Sequence, residues 1–232
     1  MTRFVSAVLD AGTPVIAEIK PRSGDGDDLL RGRGPAEIAR TYRDAGAACL
    51  SVVTGRWFGG RLDLLRTVAS ETGLPVLQKD FITRESQLAT ASELGAAAVL
   101  LTAQLLPVAS LRRLVECALL LGVTPFVEVT GEAEIAAVPH AQDCVIAVNN
   151  KDIRLRECDD GEPGRSLRLL PAVLASGTSC PVSASGIDTP RQAAGLLAVG
   201  YAGLLVGTAL LGCASPRDWF AELAARRAQV RS

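Results

Sequence analysis

Residues 75–130 read PVLQKDFITRESQLATASELGAAAVLLTAQLLPVASLRRLVECALLLGVTPFVEVT and hold three short apolar runs: PVLQKD (75–80), AAVLLT (97–102) and PFVEVT (125–130). Between them lie two segments of helical spacing, Glu85 to Gly95 and Leu111 to Gly122, each stopping at a glycine. The runs have strand length and are apolar at consecutive positions, so each is expected to be covered on both faces. Strands of that kind, joined by helix-length crossovers, form a parallel sheet wrapped in helices.

The same unit recurs on either side of this stretch. VIAEIK (15–20) and CLSVVT (49–54) precede it, and CVIAVN (144–149), PVSAS (181–185) and GLLVG (203–207) follow, giving eight strands. The segment from Pro35 to Gly46 carries proline near the first helical turn and glycine just beyond the last. Eight units in 232 residues predict a (β/α)₈ TIM barrel occupying residues 1–232 as one domain, with an open doubly wound sheet as the competing arrangement. No GxGxxG follows the first strand and no GxxxxGK[ST] occurs, so the common nucleotide fingerprints are missing. Two uncharged stretches, Leu94 to Leu111 and Gln192 to Pro216, are long enough to span a bilayer. Pro107 interrupts the first and Gly195, Gly200, Gly203, Gly207 and Gly212 the second, a rhythm of strand, turn and short helix rather than a membrane segment.

The 24 basic and 25 acidic groups nearly cancel, which argues against a nucleic-acid footprint but not against a small anionic ligand. Six dispersed cysteines without a CxxC pair, and an N-terminus without a secretory leader, point to reduced thiols, a cytoplasmic setting and neither disulfide nor metal framework. Oligomeric state leaves no mark in the pattern.

In a barrel of this kind the chemistry sits at the C-terminal strand ends. Glu18 and Lys20 end the first strand, Lys79 and Asp80 the third, Glu128 the fifth, and Asn149 the sixth, with Asn150 and Lys151 after it; Ser183 and Ser185 end the seventh. Only three of the basic residues are lysines, and all three stand at strand ends. Arginine serves surface charge, whereas a buried lysine is tunable for proton transfer. The single histidine, His140, follows Pro139 in a loop, so a Ser-His-Asp triad and a multi-histidine metal site are improbable and acid–base work falls to Lys and Glu. SASGI (183–187) and VGT (206–208) have the glycine-rich form of anion cradles. Ser23 to Asp28 matches a calcium loop in composition only and is expected to be a mobile loop over the mouth, while Trp57, Phe58 and Phe81 are available to stack on an aromatic substrate or to pack.

Taken in order, VIAEIK, SVVTGRWFGG, PVLQKDF, FVEVT, VNNKDI, SASGI and LLVGTAL resemble the indole-3-glycerol phosphate synthase family along nearly the whole chain. The resemblance implies a barrel that closes an anilino-deoxyribulose phosphate to an indole, losing carbon dioxide and water, with no cofactor and no metal. It implies Lys79 as the general acid on the ribulose carbonyl, Glu128 as the aid to dehydration, and Glu18 and Lys20 as the rest of the charged network, holding the substrate carboxylate. Asn149, Lys151, Phe58, Phe81, Ser23 and the position of Ala184 would line the substrate, and Ser185, Gly186, Ile187, Gly207 and Thr208 would hold its phosphate. The family pattern has Glu where this chain has Ala184, Arg where it has Lys151, a different loop after Ser23, and a longer N-terminal helical extension than the stretch before Val15 here. These departures leave room for a paralogue closing a related amino-deoxyribulose phosphate, or for a non-catalytic barrel that binds a phosphate ligand or a partner.

Overall fold

The computed structural model describes residues 1–151, 162 and 164–231. Cys158 and the end of the VNNKDI motif lie outside them. The strands are β1 (Val15–Ile19), β2 (Cys49–Val53), β3 (Val76–Lys79), β4 (Ala98–Thr102), β5 (Thr124–Val129), β6 (Val145–Asn149), β7 (Cys180–Ala184) and β8 (Gly203–Val206). Each pairs in parallel with the next, and β8 returns to β1, so the sheet closes as a (β/α)₈ TIM barrel.

Closure sorts the side chains by strand alternation. One set packs between sheet and helices, including Val15, Ala17, Ile19, Val52, Leu101, Val127, Val148 and Val206. The other set faces into the barrel: Ile16, Cys49, Leu77, Leu100, Phe126, Ala147, Val182 and Leu205. The helices on the outside obey the sequence signals. The helix α2 (Pro35–Ala45) begins at its proline, and its C-cap Gly46 has φ of 101°, a left-handed conformation that ends the helix at little steric cost. The stretch from Gln192 to Pro216 resolves into helix, strand β8 and short helix, and among the described residues no helix is long and apolar enough to cross a membrane.

The short segment before β1, where the resemblance implies a shortened helical extension, is helical. The helix α1 (Arg3–Leu9), capped by the Thr2 hydroxyl, lies across the N-terminal end of the barrel. Its buried Phe4, Val5 and Val8 belong to the interior cluster, with Phe4 edge-on to Phe126 at 6.3 Å. Close approach there requires Gly203, because a Cβ at that position would lie 2.7 Å from Val8 Cγ1. The barrel is therefore floored mainly with hydrocarbon, the buried Thr124 hydroxyl there being paired with Thr2 at 2.6 Å, and the buried charges are left to the other end.

Candidate active site

At the C-terminal end the inward-facing positions change character. Above Ile16, strand β1 presents Glu18 and then Lys20; above Cys49, β2 presents Ser51; above Leu77, β3 presents Lys79; and above Phe126, β5 presents Glu128. Glu18, Lys20, Lys79 and Glu128 are between 2% and 8% exposed, and among the described residues they are the only buried charged side chains. Withdrawing an ion from water costs several kcal/mol, so four ions gathered at one end of a core are not there for stability alone. Glu18 is their centre. Its Oε2 lies 3.2 Å from Lys79 Nζ and accepts a hydrogen bond from Ser51 Oγ at 3.3 Å, while its Oε1 stands 4.0 Å from Lys20 Nζ.

Lys20, Lys79 and Glu128 line one pocket of about 360 Å³ together with Val53, Gly55, Phe58, Asp80, Phe81 and Leu100. The Lys20 ammonium sits 5.3 Å from the centre of the Phe58 ring, a cation–π distance. Phe81 is half-buried at the rim, and the largely exposed Trp57 meets it edge-on at 6.3 Å. The end of β3 is locked from outside. Asp80 accepts from the Thr54 hydroxyl at 2.8 Å and from the Phe81 amide at 2.8 Å, and the Gln78 amide nitrogen donates to Thr54 Oγ1 at 3.0 Å.

The remaining sequence candidates lie on the neighbouring strands. Asn149 and Ala184 are register partners at the tops of β6 and β7, both fully buried. Asn149 Oδ1 accepts from the Lys151 amide at 2.9 Å, and its buried Nδ2 has no hydrogen-bond partner among the described residues. Ser185 and Gly186 follow Ala184 with φ of 65° and 66°. Gly207 follows β8, and a Cβ there would fall 2.8 Å from Glu18 Oε1, so this glycine forms the wall against which the central carboxylate rests. Thr208 is exposed at the start of the short helix Thr208–Gly212. The Ile187 side chain is buried in the outer core, leaving only its backbone to face a ligand. Ser23 has its hydroxyl engaged by the Asp27 amide at 3.0 Å inside its own loop, which Arg22 ties to the Phe58 carbonyl through its amide at 3.0 Å. Lys151 is half-buried beyond β6.

Two polar features escaped the sequence reading. Ser51 is an unremarked serine in an apolar run, yet parallel pairing sets it opposite Glu18. Ser183, read as a strand-end group near the mouth, points outward instead, because Val182 and Ala184 take the inward positions. It joins Asn150, Ser166 and Tyr201 in a buried network behind the β7 loop.

The family model for indole-3-glycerol phosphate synthase matches residues 2–223. Curated relatives carrying that name include one from Pyrococcus furiosus, 39% identical over 88% of this chain and 89% of the relative. Another, from Thermococcus kodakarensis, is 38% identical over 90% and 91%. A bacterial one, from Aquifex aeolicus, is 31% identical over 95% and 84%. Matches of this extent, on a barrel whose buried charges stand where the sequence motifs placed them, show that the chain belongs to the indole-3-glycerol phosphate synthase family.

Proposed function

We propose that this chain, as one catalytic (β/α)₈ domain over residues 1–232, closes 1-(2-carboxyphenylamino)-1-deoxyribulose 5-phosphate to indole-3-glycerol phosphate. The observation that carries this reading is the burial of Glu18, Lys20, Lys79 and Glu128 at the mouth, three of them around a pocket that also holds two phenylalanines. In the reaction the ring carbon bearing the carboxylate bonds to the ribulose carbonyl carbon. The carboxyl group leaves as carbon dioxide, and the oxygen of the former carbonyl leaves as water. Each stage needs a proton delivered or removed at a defined place, which is work for Lys and Glu in a water-poor site.

Lys79, steered by Glu18 at 3.2 Å, is assigned the proton that neutralises charge developing on the carbonyl oxygen. Glu128, across the pocket on β5, is assigned to the dehydration. Lys20, over the Phe58 ring, is assigned with Glu18 to the substrate carboxylate, and Phe58 and Phe81 to its aromatic ring. Asn149 Nδ2 offers an uncommitted donor to the sugar portion. The Ser185–Gly186–Ile187 and Gly207–Thr208 backbones are assigned to the phosphate, consistent with the place where barrels hold that group. The reaction exchanges no electrons with a partner molecule, so the proposal invokes no cofactor, and a phosphorylated small molecule rather than nucleic acid is the ligand. We place the reaction in the cytoplasm.

The test is turnover of that substrate followed by indole fluorescence, with Lys79→Ala and Ala184→Glu beside the parent. Loss of at least ~10²-fold in kcat on Lys79→Ala is expected for a general acid. A parent without turnover, gaining it only when Glu is restored at 184, would overturn the assignment of this substrate.

A further inference from the structure

Ser185 holds a left-handed backbone conformation without being glycine, and Gly186 repeats it at once. A non-glycine residue in that region costs about 1 kcal/mol, so something must hold it there. The group that does so is Asn150. Its two Nδ2 hydrogens are shared among the Ser185 carbonyl at 3.0 Å, the Ala184 carbonyl at 3.1 Å and Ser183 Oγ at 3.3 Å. Its Oδ1 accepts from the Ser166 amide at 3.1 Å and from Ser166 Oγ at 2.8 Å. Ser166 Oγ and Ser183 Oγ are 2.8 Å apart, so Asn150 Nδ2–H, Ser183 O–H and Ser166 O–H close a ring in which each donates to the next and the last returns to Asn150 Oδ1. Tyr201 fixes Ser166 by donating to its carbonyl at 2.7 Å; burial pushes the Tyr201 phenol up to about 12, which keeps it a donor. Asn150, Ser166 and Ser183 are all buried, none facing the pocket of Lys79.

We propose that Asn150 is a positioning residue for phosphate recognition: it clamps the Ser185–Gly186 turn in the form that presents backbone amides to the substrate phosphate. The proposal rests on the reading that this loop holds phosphate. An amide side chain suits the task, since only a group with two donor hydrogens and an acceptor can hold carbonyls of the turn while anchoring itself to α7 (Gly164–Ala175) through Ser166. Misplacing the turn weakens a contact remote from the reacting carbons, so the loss should fall on binding rather than on chemistry.

The experiment compares the parent with Asn150→Asp, which keeps the shape and turns the donor into an acceptor facing two carbonyl oxygens. Steady-state turnover is measured with and without inorganic phosphate as competitive inhibitor. The expected result is a rise of about tenfold or more in both KM and the phosphate inhibition constant, with kcat within about twofold. Ser183→Ala, which leaves both carbonyl bonds in place, should give the same pattern at about two- to threefold, and it carries the test if Asn150→Asp does not fold. If phosphate fails to compete in the parent, phosphate does not belong to this loop. Competition in the parent and equally well in the variants overturns the role of Asn150 alone, as does a fall in kcat with KM and phosphate inhibition unmoved.

Discussion

Replacing Gly207 by alanine should act on proton transfer, although position 207 lies beside the loop assigned to phosphate. The new Cβ would stand 2.8 Å from Glu18 Oε1 and 3.4 Å from both Glu18 Cβ and Cδ. Non-bonded carbon and oxygen settle nearer 3.4 Å, so the carboxylate must retreat by about 0.6 Å. Glu18 has little freedom to do so without loosening its 3.2 Å contact to Lys79 or its 3.3 Å bond from Ser51. A 1 Å error in placing a catalytic group costs about a hundredfold, so half of that corresponds to roughly tenfold in kcat, or about 1.4 kcal/mol of barrier. The assay is indole fluorescence under steady state, with inhibition by inorganic phosphate as the control for the loop. The Cβ projects toward Glu18, so phosphate inhibition should stay within about twofold. Glu18→Asp withdraws the carboxylate from the new methyl group, so adding Gly207→Ala to Glu18→Asp should cost far less than adding it to the parent. An unchanged kcat in Gly207→Ala, or simple additivity in the double variant, would refute the claim that this glycine sets the position of Glu18.

Two further outcomes follow from the interior. Gly203→Ala presses a methyl group against Val8 at the floor, at 2.7 Å, and should lower Tm by roughly 2–12 °C, about 1–3 kcal/mol, with kcat unmoved; an unchanged melting curve would show that α1 is not packed as described. Burial pushes the thiols of Cys144 and Cys180 up to about 12, from an ordinary 9.0. Their protonated forms therefore contribute stability that is complete below about pH 9 and is lost as pH rises toward 12, at up to about 1.4 kcal/mol per pH unit for each thiol. Urea midpoints measured from pH 8 to 11 should fall accordingly, and a flat series would contradict it.

The strands were legible because the pattern that identifies them is local. Runs such as AAVLLT (97–102) and CVIAVN (144–149) lie within a residue of β4 and β6, and glycine marked the end of α2 as it does in the structure. Glu18, Lys20, Lys79 and Glu128 were legible for a similar reason: a charge near the end of an otherwise apolar strand has few explanations, and alternation fixes its side. The floor helix was harder, since nothing in MTRFVSAVLDAG says that Phe4 will meet Phe126, a contact made only when the barrel closes. Ser183 is placed outward by alternation with Val182 and Ala184, a signal that its nearness to the strand end masks. The Asn150 network was illegible, because its members are uncharged residues from the helix Gly164–Ala175, β7 and the turns after β6 and before β8, with no shared spacing. The wall formed by Gly207 likewise becomes visible only in three dimensions.

The distribution of primary amines has a practical side. Of the three lysines in the chain, Lys20 and Lys79 are buried at the mouth and Lys151 is half-buried beyond β6. Arginine carries the rest of the positive surface, and its guanidinium, protonated throughout the neutral range, resists the usual acylating reagents. Acylating reagents that modify most proteins indiscriminately would meet, apart from the α-amine, only the two pocket lysines and Lys151 beyond β6. Amine chemistry on this molecule is thus confined almost wholly to the C-terminal end of the barrel rather than spread over its surface; attachment to a support or a dye is better directed at another functional group.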